Sequence, residues 1–91
     1  MNKRLHAYYR GSVQGVGFRY TAERAAAPLG LNGWVKNTGD GRVEIVVEGD
    51  GAAIDKFLNK IESIFKDYIQ DVDIEWGSFK DEFVGFDIRF D

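Results

Sequence analysis

Two helices packed on one face of a largely antiparallel sheet of four to five strands: this α+β sandwich is what the sequence predicts. Two observations predict it. Short runs of alternating apolar and polar residues, the mark of half-buried strands, are interrupted twice by runs with helical spacing. Their order along the chain is strand, helix, strand, strand, helix, strand, with one more short strand at the end, which is the ferredoxin-like βαββαβ order. No linker, internal repeat or low-complexity segment divides the 91 residues, so residues 1–91 are read as one domain with a single core.

Each element has its own reason. Leu5, Ala7 and Tyr9 alternate with His6, Tyr8 and Arg10 in a first strand. Phe18, Ala22, Ala25, Ala26 and Leu29 then share one helical face, and Pro28 and Gly30 mark the end of that helix. Residues 31–36 form a second strand and residues 43–48 a third, alternating one. Between them Asn37-Thr38-Gly39-Asp40-Gly41 has hairpin-turn chemistry. Asp50 is placed to cap a longer helix whose apolar stripe is Ile54, Phe57, Leu58, Ile61, Ile64, Phe65 and Tyr68. Val72, Ile74 and Trp76 alternate in a fourth strand. Phe86, Ile88 and Phe90 alternate in a fifth, after a break at Lys80-Asp81-Glu82.

Composition excludes several kinds of function. Without cysteine there is no disulfide framework, thiol nucleophile or cysteine metal site. The basic start Met1-Asn2-Lys3-Arg4 is followed by no apolar run of the secretory type, and no stretch reaches the length of a membrane span, so a cytoplasmic protein with no membrane partner is expected. A formal charge of −3 argues against nucleic acid as a partner. An anionic ligand would have to be drawn in by a local field, not by the overall charge.

Such a field has a place to form. Gly11-Ser12-Val13-Gln14-Gly15-Val16-Gly17-Phe18-Arg19 leaves the first strand, turns on three glycines and enters a helix. Glycines without Cβ let the backbone approach a bound group, and free amides at a helix N-terminus favour an anion, above all a phosphate. Arg19 adds a planar, permanently charged fork of donors. A tight strand-to-helix turn would use the same glycines with no ligand, and both readings stand on spacing alone. The loop lacks the Lys-Ser/Thr pair of a Walker-type nucleoside triphosphate loop and the Gly-x-Gly-x-x-Gly spacing of a dinucleotide site. In the expected topology the hairpin carrying Asn37 approaches this loop.

The remaining polar and aromatic residues have plainer readings. His6 is a sheet-surface residue, and Asp71, Asp73 and Glu75 are a solvated strand face. Ser12 has no base near it in sequence and offers its backbone amide. Thr38 either supports Asn37 from behind or serves the turn. Tyr8, Tyr9, Trp34 and Trp76 are packing residues, since the basic-aromatic strand motif of an RNA-binding sheet is missing.

The stretch 11–19, then Leu29-Gly30-Leu31-Asn32-Gly33-Trp34-Val35-Lys36-Asn37, then Asp40-Gly41-Arg42-Val43-Glu44 resemble the acylphosphatase family, and the resemblance extends over nearly the whole chain. It implies a small hydrolase without metal or cofactor that splits acyl phosphates. It also implies that Arg19 binds the phosphoryl group together with the amides of Ser12, Val13, Gln14, Gly15, Val16, Gly17 and Phe18, while Asn37 positions the attacking water. A monomer acting on a small molecule is expected; the alternative is a non-catalytic module that binds an anion or acyl phosphate. Tyr20 and the 65–71 turn depart from the family pattern outside the motif positions. The chemistry agrees with the implied residues. The leaving group is a carboxylate whose acid has a pKa of about 4, so it departs unprotonated and no general acid is needed. What remains is charge stabilisation on the phosphoryl oxygens and in-line placement of water.

Overall fold

Alternation decides the sheet. In the computed structural model, which describes residues 1–90, Leu5, Ala7 and Tyr9 of β1 (Asn2–Gly11) are fully buried. His6 and Tyr8 between them lie on the opposite face, because successive strand residues point to opposite sides. The same rule buries Val35 of β2 (Asn32–Asn37) and Val43, Ile45 and Val47 of β3 (Val43–Asp50). With β4 (Ile69–Ser78) and β5 (Phe86–Arg89) these strands form one sheet in the order β4-β1-β3-β2-β5, antiparallel except for the β2–β5 pair. α1 (Phe18–Ala26) lies over β2 and β5, and α2 (Gly51–Phe65) over β3 and β1, both against the face that carries Leu5 and Val35. The sandwich is the one the element order predicts.

The helix ends follow local chemistry. The Asp50 carboxylate accepts from the Ala52 amide at 3.1 Å and caps α2. α1 gives way after Ala26 to a single 3₁₀ turn, Ala27–Leu29, where Pro28 has no N–H to continue the α-helical ladder. None of the helices among the described residues is long and apolar enough to cross a membrane.

Four expectations need correction. β2 covers residues 32–37 rather than 31–36, so Asn37 is its last residue, paired across from Val43. Ile64 and Tyr68 are not part of the buried stripe of α2: Ile64 is 47% exposed, and Tyr68 lies beyond the helix end and is 44% exposed. Ile74 and Trp76 alternate as predicted but stay exposed, because β4 is an edge strand outside the main cover of both helices. β5 stops at Arg89, which leaves Phe90 outside the ladder.

The segment joining β4 to β5 has to cross the sheet, since these strands occupy opposite edges. It passes over the outer face and is pinned there by Glu48, the one buried charged residue among those described. The Glu48 carboxylate accepts from the amides of Lys80 at 2.6 Å and Glu82 at 3.2 Å and from the Arg4 guanidinium at 3.3 Å; Arg4 also pairs with Glu82. Burial alone pushes the Glu48 carboxyl up, but those two amides and Arg4 together outweigh it and hold it below the usual range.

Strand direction sets up the site. β1 and β2 are both antiparallel to β3, and β5 is parallel to β2. The C-terminal ends of β1, β2 and β5 therefore emerge at the same edge of the sheet.

Candidate active site

Three chain segments meet at that edge: the 12–17 loop after β1, Asn37 at the end of β2, and Phe90 after β5. The loop is held from inside. Val13 is fully buried, and Phe18, 2% exposed, sits against Tyr9 (centroids 5.1 Å) and stacks on Phe65 (4.6 Å). That wedge fixes the first turn of α1 and with it the backbone of Arg19. Gly15 and Gly17 adopt φ of +79° and +80°, a conformation that a side chain would strain. Gly17 stands at the N-cap and α1 has no side-chain cap. Among the described residues the amides of Val13, Gln14, Gly15, Gly17 and Phe18 donate to no backbone carbonyl, while Gln14 and Gly15 form a turn that directs the Val16 amide toward the Val13 carbonyl. A helix start with free amides and no acidic residue in its first turn is electrostatically ready for an anion.

Val13, Gly15, Gly17, Phe18, Arg19, Tyr20 and Asn37 line one pocket of about 230 Å³. Arg19 and Asn37, eighteen residues apart, thus face a common space. Among the described residues no carboxylate lines it. Arg4, Arg10 and Arg42 are each paired with acidic side chains, whereas Arg19 makes no ion pair among the described residues; its guanidinium carbon lies 4.9 Å from the centre of the Phe90 ring. The Asn37 side chain makes no hydrogen bond to the described chain. Chemically this is a small chamber with a planar cation and backbone donors on one side and a neutral amide, both donor and acceptor, on the other.

Not every residue expected at the site lies there. The Ser12 amide donates to the Tyr68 carbonyl at 2.9 Å, so its assignment to the phosphate loop is corrected: that donor is already used, and Ser12 does not line the pocket. Gln14 and Val16 do not line it either. The Thr38 hydroxyl donates to Asp40, and at 3.0 Å it accepts from the Arg42 amide; it serves the turn and makes no bond to Asn37. The Arg42 guanidinium, with the Thr38 hydroxyl, lowers the Asp40 carboxyl to about 2.

His6 lies on the outer sheet face, away from the pocket, with Nε2 2.6 Å from Glu44; Tyr8 donates to the same carboxylate at 2.9 Å. Those partners, 38 and 36 residues apart, have no local signal in sequence. Asp71 and Asp73 pair with Arg10. A larger cleft of about 530 Å³ lies between Arg10, Gly11, Asp40, Gly41 and Arg42, but both of its guanidinium groups are already matched by carboxylates. No group of three metal-ligating side chains occurs among the described residues.

Sequence reasoning missed Tyr20 at the pocket, and for Val13 and Gln14, named there only for their amides, it missed what the side chains do. Tyr20, placed outside the motif, lines the pocket. Val13 is the loop's anchor, a role that an apolar residue inside a polar, glycine-rich turn could have signalled. The Gln14 side chain donates to two carbonyls of the opposite turn, a contact no spacing rule reveals.

Known proteins share this architecture. The acylphosphatase family model matches residues 5–88. An acylphosphatase of Methylococcus capsulatus is 54% identical over 56 residues, a match spanning 62% of this chain and 61% of that protein's length. An acylphosphatase of Syntrophobacter fumaroxidans is 40% identical, with 97% of this chain and 92% of the relative covered. The crystal structure of acylphosphatase from Bacillus subtilis superposes with a TM-score of 0.86 at 32% identity, covering 98% of this chain and 99% of that one.

Proposed function

The chain belongs to the acylphosphatase family, and from that premise we propose that it hydrolyses acyl phosphates to a carboxylate and inorganic phosphate, with Arg19 and the free amides of residues 13–18 holding the phosphoryl group and Asn37 aiming the water. The observation that carries this reading is the single pocket shared by Arg19, the glycine loop and Asn37.

The reaction asks little covalent chemistry of the protein. The water oxygen attacks phosphorus as the bond from phosphorus to the acyl oxygen breaks, and the bonding pair leaves on the carboxylate. The water's proton passes to a phosphoryl oxygen, so that the products are a carboxylate and dihydrogen phosphate, which then equilibrates with solvent. Charge spread over the phosphoryl oxygens is met by the guanidinium fork and by amides that are fixed before substrate arrives. The Asn37 amide oxygen accepts from water and holds it in line; too weak a base to take the proton, it contributes alignment. The chain is read as acting on its substrate as a monomer.

Phosphate release from acetyl phosphate, with a chelator present, tests the reading. Wild type should turn over. Asn37→Ala should lose on the order of 10² or more in kcat while inorganic phosphate still inhibits competitively, and Arg19→Ala should lose both rate and phosphate inhibition. Phosphate binding by wild type without turnover would leave the non-catalytic module. Normal turnover by Asn37→Ala would remove the water-positioning role.

A further inference from the structure

We propose that Gln14 is a positioning residue that sets the distance between the phosphate loop and Asn37; this rests on the roles given above to the loop and to Asn37. The Gln14 side-chain nitrogen donates to the Thr38 carbonyl at 2.9 Å and to the Arg42 carbonyl at 2.9 Å. One carboxamide has two N–H groups, and both are used. Their two acceptors stand at the mouth of the β2–β3 hairpin, where the Thr38 amide closes the turn by donating to the Arg42 carbonyl at 2.8 Å. Asn37 is the residue immediately before this closure.

The clamp therefore joins the two halves of the pocket. On one side, Gln14 lies between buried Val13 and Gly15, both of which line the chamber. On the other, its acceptors belong to the turn that ends β2. No other side-chain hydrogen bond links the 12–17 loop to the hairpin among the described residues. Gln14 is itself exposed and does not line the chamber, so it acts through the parts it ties together. The donor sense matters: glutamate at this position would face two carbonyl oxygens with a third acceptor, and asparagine is one methylene short.

Loss of the clamp should leave each half intact and let them drift. In-line attack is sensitive to that, since displacement by about 1 Å can cost on the order of 10² in rate. The expected signature is a fall in kcat of roughly 10- to 100-fold for Gln14→Ala, with competitive inhibition by inorganic phosphate little changed. A role confined to folding would predict something else: a lower melting temperature and an effect that simply adds to any other variant's.

The test is a double-mutant cycle on acetyl phosphate hydrolysis, using wild type, Gln14→Ala, Asn37→Ala and the double variant, each with a melting curve and a phosphate inhibition constant. If Gln14 works through Asn37, its removal costs rate in wild type and almost none once Asn37 is gone, and Gln14→Asn behaves like Gln14→Ala. Wild-type kcat in Gln14→Ala, or a full additional loss in the double variant, would overturn the proposal while leaving Asn37's own role standing. Normal turnover by Asn37→Ala would overturn both, and that arm separates the two failures.

Discussion

Truncating Glu48 to alanine should be among the most damaging single changes outside the pocket, and its cost can be worked from the contacts. Glu48 is 1% exposed and collects three donors: the Lys80 and Glu82 amides of the β4–β5 connection, at 2.6 and 3.2 Å, and the Arg4 guanidinium at 3.3 Å. Hydrogen bonds to a charged group are each worth about 1.5–3 kcal/mol. The upper sum is not reached, because Lys80 and Glu82 are exposed and water can solvate their freed amides, and because Arg4 keeps Glu82 as a partner. Breaking a buried pair by removing one member costs about 3–5 kcal/mol, and the partial rehydration here argues for the lower figure, about 3 kcal/mol. For a domain of this size each kcal/mol shifts the midpoint by roughly 4–8 °C, so a drop of about 12–24 °C is expected. The sign with pH follows from a carboxyl held below its usual range: its stabilisation is complete above the ordinary carboxylate pKa and is lost as pH falls through the lowered one. Urea unfolding of wild type and Glu48→Ala at neutral pH and near pH 3 measures both effects. A stability change under about 0.5 kcal/mol at neutral pH would mean that the β4–β5 connection is held by something other than this carboxylate.

Two further outcomes follow from the site and its hairpin. Arg19→Lys keeps the charge but loses the two-pronged donor geometry, so hydrolysis of acetyl phosphate should still fall on the order of 10²-fold; a rate near wild type would show that a point charge suffices. The Asp40 carboxyl, lowered to about 2 by Arg42 and the Thr38 hydroxyl, supports the 38–42 turn above about pH 4 and releases it as pH falls through about 2. Its side-chain carboxyl carbon, followed by NMR, should titrate near 2 in wild type and nearer 4 in Arg42→Ala, and an ordinary midpoint in wild type would remove the ion pair from the account.

What could be read in the sequence was whatever is local and periodic. Alternation in β1 and β3, the helical spacing of Ile54, Phe57, Leu58 and Ile61, the Asp50 cap and the glycine turn before Arg19 each declare themselves within a few residues, because backbone geometry repeats on that scale. Element order then carried the topology, and the topology put Asn37 beside the loop. The failures share a cause too. Ile64, Ile74 and Trp76 have the right spacing for burial, but spacing states only which face a residue takes; whether anything covers that face depends on where the helices end and which strand lies at the edge.

Polar contacts across the fold were the least legible. Glu48 looks like one more solvent-side residue of an alternating strand until a segment 32 and 34 residues later is laid over it. Ser12 offers a free amide until Tyr68 arrives. Gln14 reads as part of the loop's backbone, yet its side chain finds acceptors 24 and 28 residues away. These contacts are the ones that fix distance between elements which periodicity only orders. A site made of two rigid halves needs both kinds of information: the motif supplies the groups on each half, and long-range hydrogen bonds such as the Gln14 clamp set the gap between them, the quantity to which an in-line displacement is most sensitive.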